Sequence, residues 1–272
     1  MGRMSISFLK MHGLGNDFVI LDLRRGGDIL TPERVRQIAD RQRGVGCDQL
    51  IHLLPPKSAG ANVFLDMYNA DGSSLGACGN ASRCVADLVM RESGARDCIL
   101  ETVAGLLYCT RAKEGQITVD MGVPRLEWSE IPILNQCDTL HLPLDGDPVG
   151  VSMGNPHCVF FCEDPEVISV DKLGPKIEHN PLFPERTNVE YVGILGPDHL
   201  RMRVWERGAG ITQACGTGAC ASAVAAIRRG LAGRSVRVTL DGGDLLIEWR
   251  ESDGHVLMTG PVAYVFEGTI LG

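Results

Sequence analysis

Two of the ten cysteines stand in closely similar surroundings. Cys78 lies in the run ACGNASRC, and Cys215 lies 137 residues later in the run ACGTGAC. Glycine follows each cysteine, and apolar residues at helical spacing come next. A cysteine directly before a helix faces free backbone N–H groups and the positive end of the helix dipole, and both favour the thiolate. We therefore expect two thiols whose pKa values lie below the ordinary cysteine value of about 8.5.

The same surroundings suit a small anionic ligand. The N–H groups of a helix start can hold a carboxylate, and the glycine lets a ligand approach the backbone closely. If two such cysteines face one amino acid from opposite sides, one thiolate can remove the α-proton while the other thiol protonates the opposite face. Two helix N-termini would stabilise the charge that develops. From the pattern alone, a redox or nucleophilic role and a purely structural role also stay open.

The motifs around the two cysteines repeat in the same order. The corresponding runs are MYNADG (67–72) with VWERGAG (204–210), GNDFVI (15–20) with GNPHCVFF (154–161), and more faintly RGVGCDQLI (43–51) with ERTNVEYVG (185–193). The matches set three pairs of polar residues opposite one another: Asn16 and Asn155, Gln49 and Asn188, Asn69 and Glu206. The sequence therefore predicts two pseudo-symmetric halves, each with strands before and after a helix that its cysteine opens.

Three helices are predicted to position these residues. The first spans 31–42, with Thr31 as N-cap and Pro32 at the first helical position. The other two follow the cysteines, at 80–91 with Gly94 as a stop and at 217–229 with Gly230 as a stop. The segment 125–146 is not linker-like in composition, so we expect the two halves to pack closely, with a mixed α/β fold.

Composition excludes several classes of protein. The 272 residues are 44% hydrophobic and 22% charged, with a net charge of −8. Because no basic patch with interleaved aromatic residues is present, nucleic acid is not an expected partner. No apolar run reaches the roughly 18 residues of a membrane span, and the start lacks the apolar core of a signal peptide. We therefore predict a cytoplasmic protein that does not associate with membranes.

The remaining eight cysteines show no pattern that carries chemistry. The chain contains no C-x-x-C, so neither a zinc site nor a disulfide framework is predicted, and no metal is expected. Most of these cysteines lie in apolar runs and are interpreted as small buried hydrophobic residues.

Several segments, taken together, resemble the diaminopimelate epimerase family. They run in order along nearly the whole chain: KMHGLGNDFVILD (10–22), RGVGCDQLI (43–51), YNADGSSLGACGNASRC (68–84), SMGNPHCVF (152–160), ERTNVEYV (185–192) and VWERGAGITQACGTGACASAVAA (204–226). The resemblance implies epimerisation of LL-2,6-diaminopimelate to the meso isomer by two cysteines, without pyridoxal phosphate or any other cofactor. That reaction serves lysine biosynthesis and supplies meso-diaminopimelate for peptidoglycan. A homodimer is also implied.

The resemblance assigns roles to individual residues. Cys78 and Cys215 match the two catalytic positions, and His157 and Glu206 match residues that tune the cysteine pKa values. Glu206 also matches a substrate-binding position. The other positions that match substrate-binding residues are Asn16, Gln49, Asn69, Gly79, Asn80, Asn155, Asn188, Arg207, Gly216 and Thr217. Arg207 suits bidentate binding of a carboxylate, and Glu206 can accept from an ammonium group.

The implied fold has two halves, each a mixed sheet or barrel wrapped around a helix. We expect residues 1–124 to form the first half, joined by a returning strand at 263–272, and residues 125–262 to form the second. The active site is expected in the cleft that they form. One departure from the family pattern is Ala81, which stands where the usual run after the first cysteine has glycine.

Simpler interpretations and rival functions stay open at this point. Asn69 and Asn155 fit ordinary turn chemistry, His157 fits a satisfied polar residue, and Glu206 with Arg207 fits a surface ion pair. Among enzymes, the rival is another cofactor-free isomerase of the proline racemase or phenazine type. The paired cysteines argue against the phenazine type, and the set Asn155, Asn188, Glu206 and Arg207 favours a substrate with a second charged end. Outside this group, the rival is a thiol redox or metal-binding protein.

Overall fold

The computed structural model of the chain describes residues 5–76 and 78–271. Residues 1–4, Ala77 and Gly272, which belong to the predicted first half and to its cysteine run, lie outside the described residues. The chain divides into two compact units. The first unit runs to Val119 and resumes at Pro261, and the second unit is Asp120–Gly260.

The first unit is a mixed sheet with two helices. Its elements up to residue 120 are β1 (Ser5–Gly13), β2 (Asn16–Asp22), α1 (Pro32–Ala39), β3 (Gln49–Leu54), β4 (Val63–Asn69), β5 (Ser74–Leu75), α2 (Gly79–Ser93), β6 (Asp97–Thr102), β7 (Gly105–Arg111) and β8 (Ile117–Asp120). Strands β2 and β3 are parallel, as are β4 and β6, while the hairpins β1–β2, β3–β4 and β6–β7 are antiparallel. Helix α2 lies against β1, β6 and β7 and buries most of its surface.

The helices of the first unit begin where the sequence predicts. The Thr31 side chain accepts from the Arg34 N–H at the start of α1, with Pro32 at the first helical position. Helix α1 is shorter than the predicted span 31–42. It ends at Ala39 because the Asp40 carboxylate accepts from the N–H groups of residues 42 and 43 and turns the chain. Helix α2 ends at Gly94, which adopts the left-handed conformation of a helix stop, as predicted.

The second unit repeats this plan. Its elements are β9 (Val149–Ser152), β10 (Pro156–Cys162), α3 (Val170–Glu178), β11 (Asn188–Gly196), β12 (His199–Glu206), β13 (Gly210–Ile211), α4 (Gly216–Arg228), β14 (Ser235–Leu240), β15 (Gly243–Trp249) and β16 (Val256–Gly260). Strands β10 and β11 are parallel, as are β12 and β14. Helix α4 contacts strands β9 to β12 and β14 to β16, so the sheet wraps around it.

Pairing registers show that the two units are structural repeats. Phe18 pairs with Gln49 in the first unit, and His157 pairs with Asn188 at the corresponding place in the second. The antiparallel partner strands agree as well, since Leu50 pairs with Tyr68 where Val189 pairs with Trp205. The prediction of a mixed α/β fold with two similar halves is confirmed.

Helix α3 was not predicted from the sequence. Its segment VDKLGPKIE contains Gly174 and Pro175, both poor residues for a helix interior. Gly174 is there because the helix lies directly on Trp205, and an added Cβ would stand 2.4 Å from the indole Cγ. Tertiary packing therefore overrides local propensity at this helix.

The segment 125–146 belongs to the core of the second unit. Ile131, Ile133 and Leu142 are buried in one cluster with Phe160 and Tyr191. This burial explains the apolar composition of the segment, which has few features of a linker.

The last strand, β17 (Ala263–Leu271), completes the sheet of the first unit. It pairs antiparallel with β1 from Ser5, opposite Leu271, to His12, opposite Ala263. Of the eight cysteines outside the two repeated runs, Cys137 and Cys162 are partly exposed and the others are buried. No helix within residues 5–76 and 78–271 combines the length and apolar character needed to cross a membrane.

Candidate active site

The first unit gathers a group of predicted residues around Asn16, and we call this group the first half-site. Asn16 follows the two-residue turn Leu14–Gly15 at the start of β2. Its side-chain oxygen lies 3.8 Å from the Cys78 Sγ and accepts from the Asn80 amide at 3.3 Å. Its amide nitrogen donates to the Gln49 Oε1 at 3.0 Å. Four predicted site residues therefore meet at one place, with Cys78 as the N-cap residue of α2.

The side chain of Asn16 is held by a charged network that the sequence did not reveal. Its amide also donates to Asp48, 2.9 Å away, and Asp48 is bound in turn by Arg41. Arg41 and Lys10 both pair with Asp17. Burial alone would raise the pKa of the Asp17 carboxyl, but the hydrogen bonds from Arg41 and Lys10 outweigh it and hold that pKa well below its ordinary value. The network fixes the turn that carries Asn16.

Asn69 forms its side-chain hydrogen bond away from this group. Its side chain donates to the Ser73 hydroxyl at 3.0 Å within its own turn, as ordinary turn chemistry predicts. The register sets it directly across from Gln49 on the neighbouring strand, so it lies beside the half-site without a direct bond to Asn16 among the described contacts.

Cys215 occupies the corresponding position in the second unit. It is the N-cap residue of α4, and its Sγ accepts from the Gly218 N–H at 3.4 Å. The Thr217 hydroxyl lies 3.6 Å from the same sulfur. Together with the side chains of Asn155, His157 and Glu206, these residues form what we call the second half-site.

The expectation of a lowered pKa is wrong for Cys215. Burial raises the pKa of its thiol well above the ordinary value, and the carboxylates of Glu206 and Glu190 raise it further. The hydrogen bonds from Thr217 and Gly218 oppose this shift but are weaker than burial. Cys215 is only 5% exposed, and a thiolate in that dry, acidic surrounding would be costly. At neutral pH, the resting form of Cys215 in this structure is the thiol.

A chain of hydrogen bonds leads away from Cys215 through predicted residues. The amide of Asn155 donates to the Thr217 hydroxyl at 3.2 Å, and its oxygen lies 3.0 Å from the His157 Nε2. The other ring nitrogen, Nδ1, lies 2.7 Å from a carboxylate oxygen of Glu190. His157 and Glu190 are both fully buried. Asn155 therefore holds Thr217 and His157 together.

Three more predicted residues lie where β11 begins and β12 ends. They are Asn188, Glu206 and Arg207. The Asn188 amide donates to the Pro156 carbonyl at 2.8 Å, and its oxygen accepts from the Arg207 backbone N–H at 2.9 Å. Glu206 accepts from the Thr212 hydroxyl, and burial raises the pKa of its carboxyl. The Arg207 side chain is exposed and donates to the Glu185 carbonyl at 3.0 Å. Its other N–H groups can receive a ligand.

Sequence reasoning missed Asp48, Glu190 and Gly218. Asp48 and Glu190 lie inside segments that resemble the family, but their hydrogen-bond partners come from other parts of the chain, which the sequence alone does not show. Gly218 was visible as the residue that differs from Ala81 at the corresponding place in the repeat. A Cβ at Gly218 would meet the Glu190 carboxylate at 2.8 Å and the Cys215 sulfur at 3.2 Å.

The described residues contain no cluster of three or more His, Cys, Asp or Glu side chains arranged as ligands for a metal ion. Within each half-site, the cysteine sulfur can transfer a proton, and the amides and hydroxyls around it can bind polar groups.

The family profile and the similar proteins that match this chain carry the same description. The profile described as diaminopimelate epimerase matches residues 8–127 and 149–265. A diaminopimelate epimerase from Rhodospirillum centenum is 55% identical over 267 residues, which cover 97% of this chain and 91% of that protein. A diaminopimelate epimerase from Gluconobacter oxydans is also 55% identical, with coverage of 98% and 99%.

Solved structures share the fold at low identity. A hydroxyproline epimerase from Agrobacterium vitis superposes with a TM-score of 0.71 at 15% identity, covering all of this chain and 92% of that chain. A phenazine biosynthesis protein of the PhzF family from Bacillus anthracis gives a TM-score of 0.70 at 17% identity, covering 99% and 100%. These similarities concern the fold alone.

Proposed function

The chain belongs to the diaminopimelate epimerase family, and on that basis we propose that it interconverts LL- and meso-2,6-diaminopimelate by proton transfer between two cysteines. The observation that carries the proposal is that Cys78 and Cys215 are the N-cap residues of corresponding helices in two units of matched register. No other pair of cysteines in the sequence stands in such a repeat. The products would serve lysine biosynthesis and peptidoglycan.

In the proposed reaction, one cysteine is the base and the other is the acid. The thiolate takes the α-proton, the C–H electron pair stays on the α-carbon, and the second thiol gives its proton to the opposite face. The first sulfur ends as a thiol and the second as a thiolate, so the two cysteines exchange protonation states in each turnover. The reverse reaction, or proton exchange with water, restores the starting state.

The buried thiol of Cys215 fits the acid in this scheme. Its raised pKa keeps the proton on the sulfur at neutral pH, where a donor is needed. The surrounding carboxylates make the thiolate of Cys215 a strong base once it forms, and this suits removal of a weakly acidic α-proton in the reverse direction.

The helix starts are proposed to hold the reacting carboxylate. The N–H groups of Gly79 and Asn80 open α2, and those of Gly216 and Thr217 open α4. Charge that develops on the carboxylate during proton removal would be stabilised by these fixed donors, which do not need to reorient.

The distal amino-acid group needs a second set of contacts. We propose that Arg207 binds the distal carboxylate and that Glu206 accepts from an ammonium group, because the first is exposed and the second has a carboxylate facing the half-site. The amides of Asn16, Gln49, Asn69, Asn155 and Asn188 complete the proposed binding set. Asn188 would act partly through Arg207, whose backbone it holds.

Incubation with LL-diaminopimelate in deuterated water tests this proposal. Without added cofactor, we expect the α-proton to exchange and meso product to form. NMR measures the exchange, and chiral chromatography measures the product. Cys78→Ser and Cys215→Ser should each lower kcat by on the order of 100-fold or more, since each removes one acid–base group. Cys162→Ser, at a partly exposed cysteine outside the half-sites, is the matched control. Absence of exchange with both thiols reduced would contradict the proposal.

We also propose that the chain works as a homodimer in the cytoplasm. A reducing compartment fits buried free thiols such as Cys47, Cys84 and Cys158. Apolar side chains exposed along β17, among them Val265 and Phe266, support self-association of the first unit.

A further inference from the structure

The two units differ most sharply beneath their catalytic helices. The counterpart of His157 is Phe18, since each pairs with the first residue of the following parallel strand. Two residues further along those strands stand Glu190 and Ile51. All four side chains are completely buried. A carboxylate and an imidazole in the second unit therefore replace two apolar side chains in the first.

A buried pair of this kind carries a cost that packing alone does not justify. A carboxylate and an imidazole lose favourable hydration when they are buried, whereas Phe and Ile would be buried favourably at the same places. The unit with apolar residues shows that this fold does not need the pair. Its presence in the second unit alone points to a role in that half-site.

Hydrogen bonds connect the buried pair to Asn155 and Thr217. The His157 Nδ1 faces the Glu190 Oε1 at 2.7 Å, and Nε2 faces the side-chain oxygen of Asn155 at 3.0 Å. Asn155 is oriented by its amide, which donates to Thr217. Glu190 therefore orients the imidazole ring of His157, and the ring in turn contacts Asn155. The second carboxylate oxygen, Oε2, is buried and has no partner among the described residues.

The pair reaches Cys215 by two routes. Through Asn155 and Thr217, it sets the position of a hydroxyl 3.6 Å from the sulfur. Directly, the Glu190 carboxylate and the Cys215 sulfur both lie within about 3 Å of the point where a Cβ at Gly218 would stand, so Glu190 lies immediately beneath the start of α4. Gly218 leaves room for this approach, whereas Ala81 at the corresponding place in the first unit carries a methyl group.

We propose that Glu190 is a positioning residue of the second half-site, which holds the His157 ring in place and, through Asn155 and Thr217, keeps Cys215 oriented as the proton donor. This inference rests on the proposed function, because it assigns Glu190 to the acid–base chemistry of Cys215. The charged and titratable groups around the thiol are His157 on β10, Glu190 on β11 and Glu206 on β12, while α4 contributes the N–H of Gly218. Glu190 acts without touching the substrate.

The first test compares Glu190→Gln with Asp66→Asn. Asp66 is the carboxylate partner of another buried histidine, His52, in the first unit, so its variant removes a similar charge away from both half-sites. We expect Glu190→Gln to lower kcat on the order of 100-fold in both directions with KM changed by less than about 3-fold, because the proton donor and not substrate binding is disturbed. Asp66→Asn should leave kcat unchanged. A Glu190→Gln enzyme within about 3-fold of wild-type kcat would overturn the proposal.

A second readout does not depend on turnover. The rate at which iodoacetamide alkylates Cys215 and Cys78 is measured against pH by mass spectrometry of the two peptides. Because the Glu190 carboxylate raises the pKa of the Cys215 thiol, Glu190→Gln should shift the alkylation midpoint of Cys215 to lower pH and leave that of Cys78 in place. If kcat fell but the alkylation midpoint of Cys215 did not move, the proposal would be overturned, because loss of packing alone predicts that combination.

A double variant keeps the test decisive if Glu190→Gln does not fold. His157→Phe with Glu190→Ile installs the pair found in the first unit, which packs without charge. We expect a folded protein, by circular dichroism and thermal unfolding, that has lost at least as much kcat as Glu190→Gln. Near-normal kcat in the double variant would overturn the proposal. Failure of the wild-type chain to exchange the α-proton would instead contradict the proposed function, independently of Glu190.

Discussion

At the scale of single residues, the Cys215 thiol lies among carboxylates, and Gly218 leaves room for one of them beside the sulfur. Cys215 lies near the carboxylates of Glu206 and Glu190, and its sulfur accepts from the backbone N–H of Gly218. The presence of this glycine in the first turn of an Ala-rich helix was visible in the sequence. Its reason was not, because the Glu190 carboxylate that occupies the space comes from a strand 28 residues earlier.

Replacement of this glycine should disable the second half-site. In Gly218→Ala the new methyl group would approach the Glu190 carboxylate to 2.8 Å and the Cys215 sulfur to 3.2 Å, so one of them must move. We expect kcat to fall on the order of 100-fold, because displacement of a reacting group by about 1 Å has that effect. Steady-state kinetics in both directions measures it.

The matched control is Gly196→Ala, in the same unit, where an added Cβ meets nothing within 4 Å. It should retain wild-type kcat. Equal activity in Gly218→Ala and Gly196→Ala would show that the sulfur and the carboxylate have room to spare.

At the scale of elements, the sequence predicted what is local and missed what is tertiary. The N-cap at Thr31, the glycine stop at Gly94 and the two cysteine-led helices follow from nearest neighbours in the chain. Helix α3 does not, because its glycine and proline predict a loop and only the contact with Trp205 explains them. The prediction of a lowered thiol pKa was wrong at Cys215 for a similar reason, because burial is a property of the fold and not of a motif.

Substitution at Gly174 tests the packing of α3. Alanine favours a helix over glycine by about 1 kcal/mol, yet here its Cβ would stand 2.4 Å from the Trp205 ring. Because the overlap outweighs the propensity, we expect Gly174→Ala to lower the free energy of unfolding by about 1–3 kcal/mol, measured by urea denaturation.

The exposed residue Lys176 on the same helix provides the comparison. Lys176→Ala changes helix propensity without an overlap, so its free energy of unfolding should lie within about 0.5 kcal/mol of wild type. A stabilised Gly174→Ala protein would mean that the helix can shift away from the indole.

At the scale of the whole molecule, the repeat was the most informative feature of the sequence. Short matches at nearly constant offset predicted two similar halves, and the strand registers agree residue by residue. The replacement of Phe18 and Ile51 by His157 and Glu190 in the second unit was not predicted, because the repeat shows only what the two units share. His157 was singled out by resemblance, while its partner Glu190 was passed over.

Self-association can be measured on the intact chain. We expect light scattering to give about twice the chain mass of 29.4 kDa. If β17 provides the contact, Val265→Glu should shift the mass to that of one chain, because a charge would be buried without a partner. Val167→Glu, at a residue 76% exposed in the second unit, should remain at the wild-type mass. A wild-type mass of one chain would contradict the homodimer.

The return of β17 to β1 has a consequence for synthesis of the protein. The second unit is one continuous stretch, Asp120–Gly260, whereas the sheet of the first unit needs Ser5 and Leu271 side by side. As the chain leaves the ribosome, the second unit has all its strands available before the first one does. Strand β1 must therefore wait for β17, and closing that long loop is the entropically costly step that we expect to set the folding rate.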